Sequence, residues 1–456
     1  YLPPDATAAR TLTLHNPGDA PVYFDAVQIE RRTEPARTVG LGLHTGVELA
    51  YDGKTALTKD ICKDWTWLRC TARPWWVGPP SDPKRWEKFD NHIERYLALS
   101  DHCQIILEGT PEWAAISPQR YAAGGNRKHM VAPDNEKYRE IVEHAVTKFA
   151  DRVEDWELWN ESNIRHFWVG TPQEFADFCK MAIPIIRKGD PTARIIIGGM
   201  AGTTVSAVDP FAVAMVENGI TKQADLFAFH CYAPAGLWDV GYGLIEGHLF
   251  SLDCGTEIYA NEQGFGWRPG EKWLRQGEFS PDIQARLYDI GMGRLMANGV
   301  AKVTDFNAGG DDNVLGIIDE NGKPRPAYAV FADYLNLTGR GARRLDVSLT
   351  APDGGALRGV YVAASTHDDG AVTLIANPAD VAALHPAKDA ANRTPDAAVA
   401  VRIRLPLPRA AEYAVSADEG GKPRPAEIKV HRKGNAAWAE VTLALTGRTV
   451  VRLAPK

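Results

Sequence analysis

From about residue 38 to about residue 338 the sequence alternates short apolar runs with longer amphipathic stretches, a pattern that few folds satisfy. Eight of the runs read as buried strands: 39–43, 67–70, 104–107, 156–159, 195–198, 226–230, 257–260 and 303–306. Residues 86–99, 135–150, 171–188 and 282–298 carry apolar side chains at helical spacing between them. The stretch 171–188 shows why. Thr171 caps it, Pro172 sits in its first turn and Glu174 faces the helix N-terminus. Phe175, Phe178, Cys179, Ala182, Ile183 and Ile186 then form one apolar face, and Pro184 is expected to bend the helix near its end. Eight strands alternating with helices predict an α/β fold, the (β/α)8 TIM barrel. A doubly wound open sheet is the competing architecture. The eightfold count and the lack of a Gly-rich phosphate turn favour the barrel.

The flanks follow a different period. Residues 10–15 and 22–30 alternate apolar and polar side chains around Asn16-Pro17-Gly18-Asp19, the pattern of a β-hairpin. Two strands alone are marginal, so residues 1–36 are expected to join a larger β-sandwich. The barrel is assigned to 37–339. Beyond it, seven alternating runs (357–363, 371–376, 399–407, 412–416, 427–431, 437–445 and 449–453) predict an appended antiparallel β-sandwich over 340–456.

Composition narrows the function classes. The chain has 456 residues, 45% hydrophobic and 24% charged, as in a globular protein. A net charge of −7 supplies no basic footprint, so nucleic acid is not an expected partner. No apolar run is long enough to span a bilayer as a helix. The six cysteines are scattered without a CxxC pair, which disfavours a zinc site. Cys103, Cys179 and Cys231 read as small core residues; Cys62 and Cys70 are a candidate pair if the protein is exported. The numbering begins at Tyr1, without Met or an apolar leader, as after removal of a signal peptide or at a start inside a longer protein; a secreted or periplasmic protein is the expectation.

Two carboxylates stand where the barrel would use them. Functional groups of this fold sit at the C-terminal ends of strands. Glu161, in Trp159-Asn160-Glu161, follows the fourth strand, and Glu262, in Ala260-Asn261-Glu262-Gln263, follows the seventh. The two strands face each other across the barrel mouth. A carboxylate pair there suits acid/base cleavage of a glycosidic bond, which needs roughly 5–5.5 Å for retention and roughly 6.5–9.5 Å for inversion. Arg69, ending the second strand, is placed to keep Glu262 ionised. His230 and Tyr232, after the sixth, are placed to orient Glu262 and line a sugar site. Trp113, Trp168, Trp238 and Trp267 fall on expected mouth loops, where rings can stack on sugar faces. Each has a plainer role available: an ion pair for Arg69, a satisfied structural histidine for His230, loop packing for the tryptophans. Arg127, Lys128 and His129 read as a solvated charge run before a receptor for an anionic sugar. Asp311, Asp312 and Asn313, with Asp319 to Gly322, lack calcium-loop spacing and read as turns.

The segments Glu108-Gly109-Thr110-Pro111-Glu112-Trp113, Glu157-Leu158-Trp159-Asn160-Glu161-Ser162-Asn163 and Phe167-Trp168-Val169-Gly170-Thr171 carry a resemblance. With a second Glu after the seventh strand, the chain resembles the clan of retaining (β/α)8 glycoside hydrolases. It is most similar to glycoside hydrolase family 39, whose members include β-xylosidases, α-L-iduronidases and endo-acting polysaccharide hydrolases. The likeness runs over about residues 38–338 and is strongest between 105 and 200. It departs before the second Glu, where Asn261 stands in place of the Thr or Ser of many relatives. The resemblance implies Glu161 as general acid/base, Glu262 as nucleophile and Asn160 as the partner of a sugar 2-hydroxyl. An ionised Glu262 then favours the protonated form of Glu161 until its charge is consumed by the glycosyl bond. The expected protein is an exo-acting β-glycosidase of the xylosidase type, acting on a plant, algal or microbial carbohydrate without a cofactor. An endo-acting polysaccharide hydrolase and a non-catalytic carbohydrate-binding protein are the alternatives.

Overall fold

The computed structural model describes residues 40–44, 67–201, 209–231, 256–264, 281–306, 316–319, 323–338, 342–355, 357, 359–378, 398–409, 411–434 and 436–456. Eight parallel strands close into a barrel in sequence order: β1 (Gly40–His44), β2 (Trp67–Thr71), β3 (Cys103–Leu107), β4 (Val153–Leu158), β5 (Arg194–Met200), β6 (Leu226–Cys231), β7 (Glu257–Gln263) and β8 (Lys302–Phe306). β1 pairs with both β2 and β8, which closes the ring and rules out the open sheet. All eight sequence-predicted strands are present, within a few residues at each end. The hairpin expected before residue 37 and the loop residues 311–313 lie outside the described residues.

Seven α-helices are described: α1 (Glu87–Leu97), α2 (Pro118–Ala123), α3 (Asn135–Phe149), α4 (Pro172–Gly189), α5 (Pro210–Glu217), α6 (Pro281–Ala297) and α7 (Pro326–Leu335). α4 starts with the anticipated capping box: Glu174 N–H donates to Thr171 Oγ1 at 3.1 Å, and Thr171 N–H donates to Glu174 Oε2 at 2.7 Å. The helix runs on through Pro184 to Gly189. Among the described residues no helix is long and apolar enough to cross a membrane.

Period-two alternation sorts each barrel strand into two buried faces. Leu68, Cys70, Ile105, Leu107, Trp156, Leu158, Ile195 and Ile197 pack outward beneath the helices. Ile196, Leu226, Ala228, Tyr259 and Ala301 form a separate apolar cluster inside. The interior also holds charge. Lys302 Nζ bonds Asp155 and donates to Gln104 Oε1 at 3.3 Å, while its ammonium lies 4.1 Å from the Trp67 ring centre. Arg194 Nε donates to Asp155 Oδ1 at 2.7 Å. Burial pushes the Lys302 ammonium down to about 7, against the pull of Asp155. Cys103 and Cys179 are buried core residues as expected; Cys70 is buried on the helix-facing side of β2, and Cys62 lies outside the described residues.

The C-terminal strands form two antiparallel sheets: β10 (Ser348–Thr350), β13 (Val399–Pro406), β17 (Ala436–Leu445) and β16 (Glu427–Lys433) in one, and β15 (Lys422–Pro423), β14 (Tyr413–Glu419), β18 (Thr449–Pro455), β12 (Val372–Asn377), β11 (Tyr361–Thr366) and β9 (Arg343–Arg344) in the other. Val401, Ile403, Leu405, Val441 and Leu443 of one sheet share a core with Val362, Leu374, Val451 and Leu453 of the other, which makes the predicted sandwich. Short strands β9, β10 and β15 add to the seven expected from sequence; their runs of two or three residues carry no readable period.

The sandwich sits on the barrel. Ala363, Ile375 and Val450 belong to the barrel's own core cluster. Arg448 clamps two helices: Nη1 lies 2.7 Å from Asp289 Oδ2 on α6, and Nη2 donates to Asp333 Oδ2 on α7 at 2.7 Å. Asn377 Nδ2 also donates to Asp289 Oδ1, at 2.8 Å. Burial holds the Asp289 carboxyl above the usual carboxylate range despite Arg448. Arg448→Ala leaves two largely buried carboxylates without their cation and should cost about 3 kcal/mol, read as a fall in Tm. A carboxyl raised on folding takes up a proton in the folded state, so its penalty shrinks as pH falls. The deficit of the variant should therefore be larger at pH 7 than at pH 5; an equal deficit at both would place its origin elsewhere.

Candidate active site

Glu161 is delivered by an unusual turn. After β4 the chain passes through left-handed conformations at Trp159 (φ 68°) and Glu161 (φ 44°), which side chains bearing a Cβ rarely adopt. The turn is held at both ends. Trp159 Nε1 donates to Phe167 O at 2.6 Å, and Glu161 N–H donates to Gly199 O at 2.8 Å. Gly199 is itself left-handed (φ +51°), and a Cβ there would lie 3.0 Å from Glu157 Oε1. The glycine at the end of β5 thus leaves room for a carboxylate of β4.

Arg69 organises the opposite wall. From β2 its Nε donates to Glu157 Oε2 at 2.7 Å, and its Nη2 to Glu157 Oε1 at 2.8 Å. Nη1 donates to Glu262 Oε1 at 2.7 Å, and Nη2 reaches Asn160 Oδ1 at 2.9 Å. Burial disfavours the guanidinium charge, but the Glu157 and Glu262 carboxylates outweigh it and hold the Arg69 pKa well above its ordinary value. Glu157 also accepts from Gln104 Nε2 at 2.7 Å and Asn261 Nδ2 at 2.6 Å. A register shift between Ala260 and Gln263 accompanies the unusual placement of neighbouring Asn261 and Glu262, both of which reach this network.

His230, at the end of β6, joins the two walls. Its Nδ1 lies 2.6 Å from Glu161 Oε1 and 3.3 Å from Glu262 Oε2. One atom each from Glu161, His230 and Glu262 fall within 4.8 Å of one another. Such a trio is also a plausible cation ligand set by chemistry. A cation there would compete with the imidazole contact and with the Arg69 guanidinium for the same carboxylates. The arrangement is best suited to its asymmetry: Glu262 is ion-paired to Arg69, whereas Glu161 meets only an imidazole among these contacts.

The structure thus brings together Glu161, Glu262, Asn160, Arg69 and His230. Tyr232, Trp238 and Trp267 lie outside the described residues. Two tryptophans differ from expectation. Trp168 is 2% exposed, packed edge-on against Trp159 at 4.8 Å, with Nε1 donating to Thr171 O at 3.3 Å. It is a core residue and presents no face to a sugar. Trp113 is half-buried, donates from Nε1 to Val77 O at 2.9 Å and carries the Arg85 guanidinium 4.9 Å from its ring centre, so packing claims much of it. Arg127 and Lys128 are exposed as a charge run would be, while His129 stacks on Trp75 at 5.7 Å. Glu157, Gln104 and Asn261 were not picked out from sequence. A signal for Glu157 was present: Asp155 and Glu157 alternate with apolar residues, marking a charged inner face.

No protein-family profile matches the sequence, and no curated protein matches it by sequence. Solved structures do match. A family 39 glycoside hydrolase from the gut symbiont Bacteroides cellulosilyticus WH2 is 16% identical, with 92% of this chain and 81% of that chain covered and a TM-score of 0.55. A family 30 subfamily 8 xylanase from Clostridium acetobutylicum is 14% identical over 92% of this chain and 97% of its own, at a TM-score of 0.56. A family 39 β-xylosidase from Caulobacter crescentus is 15% identical over 93% and 98%, at 0.54. At such identities the likeness is one of architecture: this chain has the fold of clan A glycoside hydrolases, a TIM barrel with an appended β-sandwich.

Proposed function

We propose that the protein is a retaining glycoside hydrolase, with Glu161 as general acid/base and Glu262 as nucleophile. The observation that carries the reading is the approach of the two carboxylates, with one oxygen of each within 4.8 Å of the other. That approach is nearer the roughly 5–5.5 Å separation of retaining pairs than the roughly 6.5–9.5 Å at which inverting pairs seat their water. It also disfavours a non-catalytic sugar-binding protein, which has no use for two carboxylates held against their mutual repulsion.

Arg69 engages Glu262 Oε1, and Oε2, which lies 3.3 Å from His230 Nδ1 on the side of Glu161, is the oxygen assigned to attack the anomeric carbon. As that bond forms, Glu161 gives its proton to the departing glycosidic oxygen. In the second half-reaction Glu161 takes a proton from water, which displaces Glu262 and returns it to its carboxylate. Asn160 is oriented for the sugar: Arg69 holds its carbonyl oxygen, leaving the Nδ2 hydrogens for a hydroxyl of the substrate. Within this reading the exo-acting, xylosidase-type β-glycosidase is favoured, supported by a neighbour that is a β-xylosidase, while the xylanase neighbour speaks for the endo-acting alternative.

Three outcomes test it. The first-formed product of wild-type hydrolysis, followed by NMR before mutarotation, should keep the anomeric configuration of the substrate; an inverted product would sink the mechanism. Glu262→Ala should lower kcat by at least about 10⁴-fold on any cleaved glycoside, because it removes the covalent step. Glu161→Gln should lose about 10²–10⁴-fold in kcat/KM on unactivated oligosaccharides, and far less in the glycosylation step of aryl glycosides whose leaving group needs no proton. Release of single sugars from the first time points marks exo action, and a spread of oligosaccharides marks an endo-acting enzyme instead.

A further inference from the structure

One carboxyl at the barrel mouth has no part in the network described above. Glu108 directly follows β3, two residues beyond Ile106 and four beyond Gln104. Gln104 points into the barrel, where its amide meets Glu157, so period-two alternation puts Glu108 on the same inner face, nearer the mouth. It is 5% exposed, and its Oε1 is shut off from solvent with no hydrogen-bond partner among the described residues. A buried polar atom left unbonded by the fold calls for an explanation.

The backbone beyond it is fixed closely. Gly109 is left-handed (φ +97°), and a Cβ there would fall 2.1 Å from the Trp75 ring. Tyr138 of α3 donates its hydroxyl to Gly109 O at 3.1 Å, Thr110 N–H donates to His129 O at 2.7 Å, and Thr110 Oγ1 donates to Val131 O at 2.7 Å. The fold holds the backbone beside this carboxyl in place and gives its Oε1 no hydrogen-bond partner among the described residues. That is the arrangement of a group preorganised for a ligand.

We propose that Glu108 is a sugar-binding residue whose carboxyl group hydrogen-bonds a hydroxyl of the unit held between Glu161 and Glu262. The inference rests on the glycosidase reading of this site and adds a specificity determinant from β3. The charged groups around Glu108 are Arg69 of β2, Glu157 of β4, Glu161 and Glu262 of β7, with the Tyr138 hydroxyl behind it. Burial and then the three carboxylates, against Arg69, push its carboxyl up to about 8. At neutral pH it is a neutral acid with a proton to donate, and it can accept from the same hydroxyl in return. Substrates lacking that hydroxyl are disfavoured, since the group is then left unpaired again.

The test uses the full chain and two readouts. Hydrolysis is measured on xylotriose, cellotriose and their aryl glycosides; binding of the same trisaccharides is measured by calorimetry in the Glu161→Gln background. Glu108→Ala should lower kcat/KM and weaken trisaccharide binding by about 10–100-fold without a matching fall in Tm, because Glu108 Oε1 has no hydrogen bond to lose among the described residues. Glu108→Gln, which keeps a donor and an acceptor, should recover most of the loss. It should also abolish any fall in kcat/KM above about pH 8 that arises as wild-type Glu108 loses its proton. Wild-type values in Glu108→Ala, or a matching fall in Tm, overturn the proposal while leaving the glycosidase intact. Weakened trisaccharide binding in Glu108→Ala, with a wild-type protein that cleaves nothing, upholds Glu108 and overturns the enzyme. Binding and cleavage of none of these sugars overturns both.

Discussion

The Arg69 guanidinium is the interaction on which the rest of the site depends. One cation, fully enclosed in the barrel, meets Glu157 through two nitrogens and Glu262 through a third, and shares one of them with Asn160. Because the planar fork is rigid, fixing it on Glu157 also fixes the direction in which it offers its remaining hydrogens. Glu157 is the anchor: both its oxygens are saturated by donors from Arg69, Gln104 and Asn261. Glu262 has Oε1 held by Arg69 and Oε2 facing His230 Nδ1 at 3.3 Å. Two carboxylates of the same residue type thereby acquire different surroundings, one enclosed as a counter-charge and the other shared between a guanidinium and an imidazole.

This arrangement continues downward into the fold. Gln104 passes one hydrogen bond up to Glu157 and receives others from Tyr259 Oη at 2.7 Å and Lys302 Nζ at 3.3 Å. Lys302 in turn bonds Asp155, which Arg194 also engages. A column of satisfied polar groups therefore runs from the floor of the barrel to its mouth, inside walls that are apolar on the outer side. Breaking it low down would leave a buried charge uncompensated and shift the groups above. Barrel stability and the placement of Glu262 are two aspects of the same network.

Much of this was legible in the residues. Strands sheathed by helices are apolar enough to stand out, and all eight were visible for that reason. Arg69 was conspicuous as a charge inside an apolar run, and Glu161 and Glu262 because each ends one. What escaped were residues whose meaning depends on which way a side chain points. Glu157 alternates with Trp156 and Leu158 in β4, but what its carboxyl meets on the inner face depends on residues of β2, β3 and β7. Glu108 served only as part of a likeness. Trp168 is the opposite case: a tryptophan close to Glu161 in sequence looks like a sugar platform, but the aromatic cluster of Trp159, Phe175 and Phe178 takes it inward. Local period shows which residues share a face; the closed ring decides what that face meets.

The left-handed turn at Trp159 and Glu161 bears on how such a protein changes over evolutionary time. Non-glycine residues in that region carry strain of order 1 kcal/mol each, held in place here by the bonds to Phe167 O and Gly199 O. Glycine at either position would relax the backbone, and at Glu161 it would remove the very carboxyl the turn presents. Selection for heat resistance alone therefore pulls against the residues of this turn, and under the proposed function selection for turnover has to hold them. A lineage that had no use for the Glu161 carboxyl would be expected to lose the turn early, while the eight strands and their apolar walls persisted.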